Sequence, residues 1–130
     1  MANRGSTAPL VFCVDDDGML LSTLKFFLES FGYRCECVTD PNIAFQKLQV
    51  VKPDLILLDV SMPGMMGYDL CTRLRQNPSL KPVPILFLTT AADRDTVQRA
   101  VQAGGNDYLL KPITAEALQK RIERWVKPAV

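Results

Sequence analysis

Hydrophobic residues along this chain fall into two kinds of segment. Apolar runs of about five residues, the length of a buried β-strand, alternate with longer segments whose apolar residues recur every three or four positions, as on one face of a helix. The predicted strands are residues 10–14, 33–38, 55–58, 85–89 and 107–110. The predicted helices are residues 19–31, 41–51 and 68–75, then one between Asp93 and Gly104, and a last one that begins after Thr114.

Residues that favour helix ends stand at the borders of these helices. Asp40 precedes Pro41, an arrangement typical of an N-cap followed by proline in the first turn. The spacing of apolar residues predicts that Val51, Val101 and Trp125 face the protein interior from the second, fourth and fifth helices.

The elements follow the order strand then helix, five times over. Uniformly apolar strands that alternate with helices indicate a parallel sheet covered on both faces. Because crossover connections are right-handed, every strand would end at the same edge of the sheet, where open α/β sheets bind ligands. With the strand order 2-1-3-4-5, the ends of the first and third strands would be neighbours.

Polar side chains stand at this edge after four of the strands. Asp15 and Asp16 follow the first strand, and Asp59 follows the third. Thr89 closes the fourth strand, and Lys111 follows the fifth. Carboxylates would hold a divalent cation such as magnesium (Mg2+), while the hydroxyl and ammonium groups would hold phosphoryl oxygens. Asp59 is the candidate nucleophile, since a carboxylate can accept a phosphoryl group and form an acyl phosphate.

Three carboxylates in one small cleft repel each other. Without a cation, at least one of Asp15, Asp16 and Asp59 is therefore expected to have a raised pKa. Asp17 leads directly into Gly18 and the first helix, so it is better explained as a helix N-cap than as a ligand.

Composition narrows the range of functions. A chain of 130 residues fits one domain, and a net charge of +1 gives no sign of a nucleic-acid partner. No apolar run is long enough to span a membrane, and residues 1–9 lack the apolar core of a secretion signal. We therefore expect a flexible lead-in at residues 1–9 and a cytoplasmic location. The absence of histidine excludes a Ser-His-Asp triad.

The four cysteines, Cys13, Cys35, Cys37 and Cys71, form no CxxC pair. Because no histidine is present to complete a zinc site, they are expected to be small buried hydrophobic residues. Cys35 and Cys37 would point to the same face of the second strand.

Four motifs occur in a fixed order along the chain. They are Val-Asp-Asp-Asp at residues 14–17, Asp-Val-Ser-Met-Pro-Gly-Met-Met-Gly at residues 59–67, Thr89, and Tyr-Leu-Leu-Lys-Pro at residues 108–112. In this order and spacing they resemble the receiver domain of the bacterial two-component response-regulator family. The resemblance covers about residues 10–126, and the receiver domain is predicted over residues 10–127. It implies an α/β fold with a flavodoxin-like, doubly wound, five-stranded parallel sheet in the order 2-1-3-4-5 and five helices.

The resemblance also implies a role for each polar residue at the cation site. Asp59 is the phosphoacceptor. Asp16, Asp59 and the backbone carbonyl of Ser61 would bind Mg2+, with Mn2+ as a substitute, and Asp15 would help to hold the ion through water.

The remaining motif residues belong to the predicted phosphoryl contacts and switch. Lys111 and Thr89 would contact the phosphoryl group, and the peptide bond between Lys111 and Pro112 is expected to be cis. Thr89 would move toward the phosphoryl group while Tyr108 turns inward. This change would reshape the surface formed by the fourth helix, the fifth strand and the fifth helix.

The resemblance further implies partners. The phosphoryl group would come from a sensor histidine kinase or a histidine phosphotransfer protein. The chain would control an output partner or output domain, with no turnover of an external substrate, no membrane contact and no direct binding of nucleic acid. The same surface, formed by the fourth helix, fifth strand and fifth helix, could also form a homodimer, with Asp107 and Arg121 in cross-subunit ion pairs. The alternative is that these two charges are ordinary solvated groups.

Other functions share parts of this pattern. A phosphatase of the haloacid-dehalogenase type also uses an aspartate nucleophile with Mg2+, but it needs a second acid two residues later, where this chain has Ser61. A flavodoxin-like cofactor binder needs a phosphate-binding loop after the first strand, where this chain has three aspartates. A receiver that works without phosphorylation usually lacks the acceptor or its neighbours, and all of them are present here.

Overall fold

The structure is a computed structural model and describes residues 8–129 of the 130-residue chain. Within this range, five strands alternate with five α-helices. The strands are β1 (Leu10–Val14), β2 (Arg34–Val38), β3 (Leu55–Asp59), β4 (Ile85–Thr89) and β5 (Asp107–Leu110). The helices are α1 (Gly18–Ser30), α2 (Pro41–Leu48), α3 (Gly67–Arg75), α4 (Arg94–Ala103) and α5 (Ala115–Glu123), and a short 3-10 helix spans Pro78–Leu80.

The strands form one parallel sheet in the order β2-β1-β3-β4-β5, which confirms the predicted architecture and strand order. Helices α1 and α5 cover one face, where Leu24 and Leu118 are buried. Helices α2, α3 and α4 cover the other face with Leu48, Leu70 and Ala100. The winding reverses between β1 and β3, so the ends of these two strands lie side by side.

The central strand shows why uniform hydrophobicity predicted this sheet. All five residues of β3 are buried, because helices cover both faces of the sheet at this position. The edge strand β2 has a neighbour on one side, and Val38 is the one buried residue among its five. Burial therefore decreases from the centre of the sheet toward the β2 edge.

Side-chain caps define the starts of four helices. Asp17 accepts hydrogen bonds from two backbone amides at the start of α1, so it is the predicted N-cap. Asp40, Asp93 and Thr114 cap α2, α4 and α5 in the same way. Within residues 8–129, no helix has the length and hydrophobicity needed to cross a lipid bilayer.

Three apolar residues that were predicted to face the interior do not. Helix α2 ends before Val51, which is only partly buried, because two consecutive β-branched valines and Pro53 disfavour a longer helix. Val101 is 66% exposed, because it lies on the side of α4 that no other described element covers. Trp125 is 39% exposed, since α5 ends at Glu123 and the indole lies beyond its buried face.

Residues 1–7 of the predicted lead-in lie outside the described residues, and the two that follow contact β2. Ala8 is buried, and its carbonyl oxygen accepts a hydrogen bond of 2.8 Å from Nε of Arg34. The carbonyl oxygen of Pro9 accepts a second bond of 2.8 Å from the backbone amide of Arg34. These bonds hold the residues before β1 against the edge strand.

Gly67, the first residue of α3, lies very close to the end of β3. Its amide donates a hydrogen bond of 2.7 Å to the carbonyl oxygen of Val60. A Cβ atom at position 67 would lie 2.0 Å from the carbonyl oxygen of Asp59. Only glycine therefore allows the loop after Asp59 to fold back this closely.

We expect Gly67→Ala to lower the free energy of unfolding by about 2–3 kcal/mol, because backbone atoms rather than a flexible side chain must move. Gly18→Ala is the matched control, since Gly18 also begins a helix and a Cβ there meets nothing within 4 Å. The control should stay within about 0.5 kcal/mol of the wild type or be more stable. Urea unfolding followed by circular dichroism measures both variants, and equal midpoints for the two would contradict the tight packing at Gly67.

Candidate functional site

The cleft at the carboxyl ends of the strands brings together the polar residues that the sequence singled out. Asp15 and Asp16 follow β1, Asp59 ends β3, Thr89 ends β4 and Lys111 follows β5. All five line one cleft of about 310 Å3. The sheet order therefore joins side chains from four separate strands in a single site.

Lys111 connects the two buried carboxylates of the site. Its Nζ lies 2.9 Å from Oδ2 of Asp15 and 3.1 Å from Oδ1 of Asp59. Asp15 is completely buried and Asp59 is 4% exposed, whereas Asp16 is exposed. Because a buried carboxylate is strongly unfavourable without a nearby positive charge, the ammonium group partly compensates for the burial of both.

Burial raises the pKa of Asp59 to about 6, and the nearby charge of Asp15 adds to this rise. The hydrogen bonds from Lys111 and from the amide of Ser61 act in the opposite direction. This confirms the predicted raised pKa, although burial contributes more than repulsion between carboxylates. Burial alone would lower the pKa of Lys111, but the hydrogen bonds and charges of Asp15 and Asp59 together raise it.

The three carboxylates are close enough to share one cation. One oxygen from each of Asp15, Asp16 and Asp59 lies within 4.8 Å of the others. Oδ1 of Asp15 accepts a hydrogen bond of 2.9 Å from the amide of Asp17, while its buried Oδ2 has the ammonium group of Lys111 at 2.9 Å and no further partner among the described residues. Ser61, whose carbonyl was predicted as a ligand, lines the same cleft. Oxygen donors of this kind fit a hard divalent cation such as Mg2+.

The hydroxyl group of Thr89 is engaged by the loop that follows β4. It donates a hydrogen bond of 3.1 Å to the carbonyl oxygen of Ala91 and accepts one of 3.2 Å from the amide of Ala91. The sequence pattern gave no signal for this partner. A contact between Thr89 and a group bound in the cleft would therefore require its hydroxyl to leave Ala91.

A small cavity lies between Thr89 and Tyr108. Its volume is about 10 Å3, and Phe87 and Ala100 also line it. A cavity of this size holds one water molecule at most and has no room for a phenol ring. Tyr108 is half-buried, with the guanidinium carbon of Arg121 5.8 Å from the centre of its ring. Inward rotation of Tyr108 would therefore require residues that line this cavity to move.

Asp107 and Arg121 form an ion pair within the chain. Nη1 of Arg121 lies 2.8 Å from Oδ1 of Asp107, and Nε1 of Trp125 donates a hydrogen bond of 3.1 Å to Oδ2. Trp125 was not predicted as a partner, because the spacing of apolar residues placed it in the protein interior. Both oxygens of Asp107 thus have partners in the same chain.

A second groove adjoins the cleft and was not predicted. It shares Asp17, Thr90 and Lys111 with the cleft and adds Leu20, Pro112 and Ile113. Pro112 was predicted for its peptide bond with Lys111. Ile113 follows it directly and could have been identified from that position, whereas Leu20 gave no signal because it lies on a helix. The peptide bond between Lys111 and Pro112 is cis, as predicted.

The chain is similar to known proteins over most of its length. A family profile described as the response regulator receiver domain matches residues 11–123. Among curated proteins, the protein RcaC of Microchaete diplosiphon is 40% identical over 114 residues, which are 88% of this chain and 18% of RcaC. The chain spans about half of the length of other curated regulators that it matches.

Solved structures agree with this match. The chemotaxis protein CheY4 of Vibrio cholerae superposes with a TM-score of 0.87 at 31% identity, covering 91% of this chain and 98% of CheY4. The receiver domain of the sensor histidine kinase PA1611 from Pseudomonas aeruginosa superposes with a TM-score of 0.82 at 32% identity, covering 90% of this chain and 96% of that domain. The PA1611 structure is described as having a magnesium ion coordinated in its active-site cleft.

Because burial raises the pKa of Asp59 above its ordinary value of 3.8, ionisation of this carboxyl group opposes folding. The protonated carboxyl group of Asp59 therefore favours the folded state. This stabilisation is complete below about pH 4 and is lost as the pH rises through about 6. We therefore expect Asp59→Asn to raise the free energy of unfolding by about 1–2 kcal/mol near pH 7.5 without divalent cations, and to change it much less near pH 4.

Urea unfolding at the two pH values measures this difference. Asp16→Asn is the control, because it removes the same charge from an exposed position in the same cleft. It should stabilise the protein less than Asp59→Asn does near pH 7.5. Equal stabilisation by Asp59→Asn at both pH values would contradict the raised pKa.

Proposed function

The chain belongs to the response regulator receiver domain family, and we propose that Asp59 is the residue that accepts the phosphoryl group. Receiver domains are the phosphorylatable part of two-component response regulators. This proposal rests on the position of Asp59. The residue ends β3, lines the open cleft and lies beside Lys111 and the carboxylate of Asp15.

In the proposed reaction, Asp59 attacks the phosphorus atom of a phosphohistidine. A carboxylate oxygen forms the new oxygen–phosphorus bond, the nitrogen–phosphorus bond breaks, and the histidine nitrogen takes up a proton. The chain contains no histidine, so the donor is a separate domain or protein: a sensor histidine kinase or a histidine phosphotransfer protein. Later hydrolysis of the acyl phosphate restores Asp59, so no external substrate is turned over.

The residues that would hold a divalent cation are Asp16, Asp59 and the backbone carbonyl of Ser61, with Asp15 acting through water. The proximity of the three carboxylates and the magnesium ion described for the PA1611 receiver domain support this assignment. When bound, Mg2+ supplies positive charge that offsets the negative charge of the transferred phosphoryl group. Mn2+ accepts similar oxygen ligands and would serve in its place.

Lys111 and Thr89 are the proposed protein contacts of the phosphoryl oxygens. Lys111 stays charged at neutral pH, since the neighbouring carboxylates raise its pKa, and its ammonium group already lies beside Asp59. The hydroxyl of Thr89 would exchange its bonds to Ala91 for a bond to a phosphoryl oxygen.

The proposed switch couples Thr89 to Tyr108. Movement of Thr89 toward the phosphoryl group would enlarge the cavity between them and allow the phenol ring to turn inward. The phosphoryl group favours this arrangement because it bonds to Thr89 only there. Since Tyr108 belongs to β5, the change would reach the outer surface of α4, β5 and α5.

This α4–β5–α5 surface is the proposed contact site for an output partner, a linked output domain or a second copy of the chain. Val101 and Leu110 expose 66% and 47% of their surface there. A homodimer that used Asp107 and Arg121 across subunits would have to exchange the pair that they form within the chain. We assign no nucleic-acid binding to this domain, because its net charge is only +1.

We expect Asp59→Asn to abolish labelling by acetyl phosphate with Mg2+, because an amide oxygen cannot form an acyl phosphate. Asp17→Asn is the matched control, since Asp17 lines the same cleft and asparagine caps a helix as well as aspartate does. The control should be labelled to nearly the wild-type extent. Intact-mass spectrometry measures the added phosphoryl group. Wild-type labelling of Asp59→Asn would exclude Asp59 as the acceptor, and loss of labelling in both variants would contradict its specific role.

We expect Lys111→Ala to accept some phosphoryl group but to fail to switch. The variant loses the charge-assisted hydrogen bond between Lys111 and the phosphoryl group. Such a bond contributes about 1.5–3 kcal/mol, so its loss changes the equilibrium constant of the switch by about tenfold or more. Trp125, the sole tryptophan, is bonded to Asp107 of β5 and reports on this surface through its fluorescence. Beryllofluoride with Mg2+, which takes the place of the phosphoryl group, should change the emission of the wild type and of the exposed control Lys120→Ala. A full response from Lys111→Ala would contradict the role of Lys111.

A further inference from the structure

Three of the four cysteines form a cluster outside the acidic cleft. Cys13 of β1 and Cys35 and Cys37 of β2 have their sulfur atoms within 4.8 Å of one another. Sγ of Cys35 lies 3.7 Å from Sγ of Cys13 and 3.7 Å from Sγ of Cys37. All three are free thiols. The sequence predicted that Cys35 and Cys37 share a face, but it did not bring Cys13 to them.

The parallel register of β1 and β2 explains the cluster. Cys13 is the direct partner of Cys37, and Val11 is the partner of Cys35. Because side chains two residues apart point to the same face of a strand, β2 presents two sulfur atoms beside the one from β1. Cys71 lies on the opposite face of the sheet, in the other half of the core.

The spacing of the sulfur atoms suits one ion held by three thiolates. A disulfide bond is about 2.05 Å long, so separations of 3.7 Å describe sulfurs in contact rather than bonded. With metal–sulfur bonds of about 2.3 Å, a planar three-sulfur site holds its sulfurs about 4 Å apart, and a pyramidal site holds them closer. The two separations of 3.7 Å therefore suit a pyramidal three-coordinate ion, and the third, between Cys13 and Cys37, lies within 4.8 Å and would adjust to it.

The donor atoms and their burial restrict which ion can bind. The cluster offers sulfur without imidazole or carboxylate, and sulfur ligands select soft ions. Cys13 is completely buried, with Leu21 and Leu24 in the same half of the core, so a net charge at this position would be unfavourable. Three thiolates leave two negative charges around a cuprous ion and one around zinc, but none around a trivalent ion.

We propose that Cys13, Cys35 and Cys37 form a binding site for a trivalent thiophilic metalloid, of which arsenic(III) is the probe. Arsenous acid would release its three hydroxyl groups as water, with one proton from each thiol, as three arsenic–sulfur bonds form. The oxidation state does not change, and the product is neutral. Cys35 and Cys37 are partly exposed on the edge strand, which gives the ligand access. This site is independent of the proposed phosphoacceptor.

Intact-mass spectrometry of the full chain, treated with arsenite and a phosphine reductant, tests the proposal. The wild type should gain the mass of one arsenic atom less three hydrogens. Cys35→Ser and Cys37→Ser should form at most a two-sulfur adduct, in which arsenic keeps one hydroxyl group, with an affinity roughly a hundredfold weaker. Cys71→Ser is the matched control, a buried thiol on the other face, and it should behave as the wild type.

Thermal unfolding is the second measurement, because a ligand that binds only the folded state raises the midpoint. Arsenite should raise the midpoint of the wild type and of Cys71→Ser, but not that of Cys35→Ser. The proposal is overturned if the folded wild type gains no arsenic, if it forms only the two-sulfur adduct, or if Cys37→Ser binds as tightly. Stronger uptake of cuprous ion than of arsenite would also overturn it.

Discussion

The burial of two carboxylates beside a single ammonium group is the interaction on which the site depends. Asp15 and Asp59 are almost completely enclosed, and Lys111 contacts both at 2.9 and 3.1 Å. One positive charge cannot balance two negative ones, so the cleft retains a net negative charge even before Asp16 is counted. Protonation of Asp59, whose pKa burial raises to about 6, or binding of a cation relieves this imbalance. The unbalanced negative charge therefore favours the binding of a cation and lowers the stability of the fold when no cation is bound.

The polar groups at the amino ends of the strands are more completely hydrogen-bonded than those at the carboxyl ends. At the amino ends, Arg75 donates hydrogen bonds of 2.8 Å to the carbonyl oxygens of Leu80 and Val83 and one of 2.9 Å to that of Gly104. It also bonds to the side chain of Asn106 at 2.8 Å. This network fixes the starts of β4 and β5. At the carboxyl ends, by contrast, the two buried carboxylates of Asp15 and Asp59 share the one ammonium group of Lys111.

Much of this arrangement could be predicted because the responsible signals are local. Uniformly apolar runs that end in Asp59 and Thr89 predicted buried parallel strands with polar ends, and right-handed crossovers placed those ends at one edge. The N-cap at Asp17 was predictable because its side chain bonds to backbone amides of its own helix. The likeness of the motifs to a known family supplied what local patterns could not, including the cis bond before Pro112.

The sequence by itself determined which residues share a face of a strand or helix and which polar groups stand at strand ends, since these depend on short-range periodicity. Only the tertiary structure decided which distant side chains meet. Lys111 lies between two carboxylates, Asp107 bonds to Trp125, and Cys13 joins the thiols of β2 because of strand register and helix placement. The exposure of Val101 was decided in the same way. Burial and pairing depend on what every neighbouring element covers, and no local pattern contains that information.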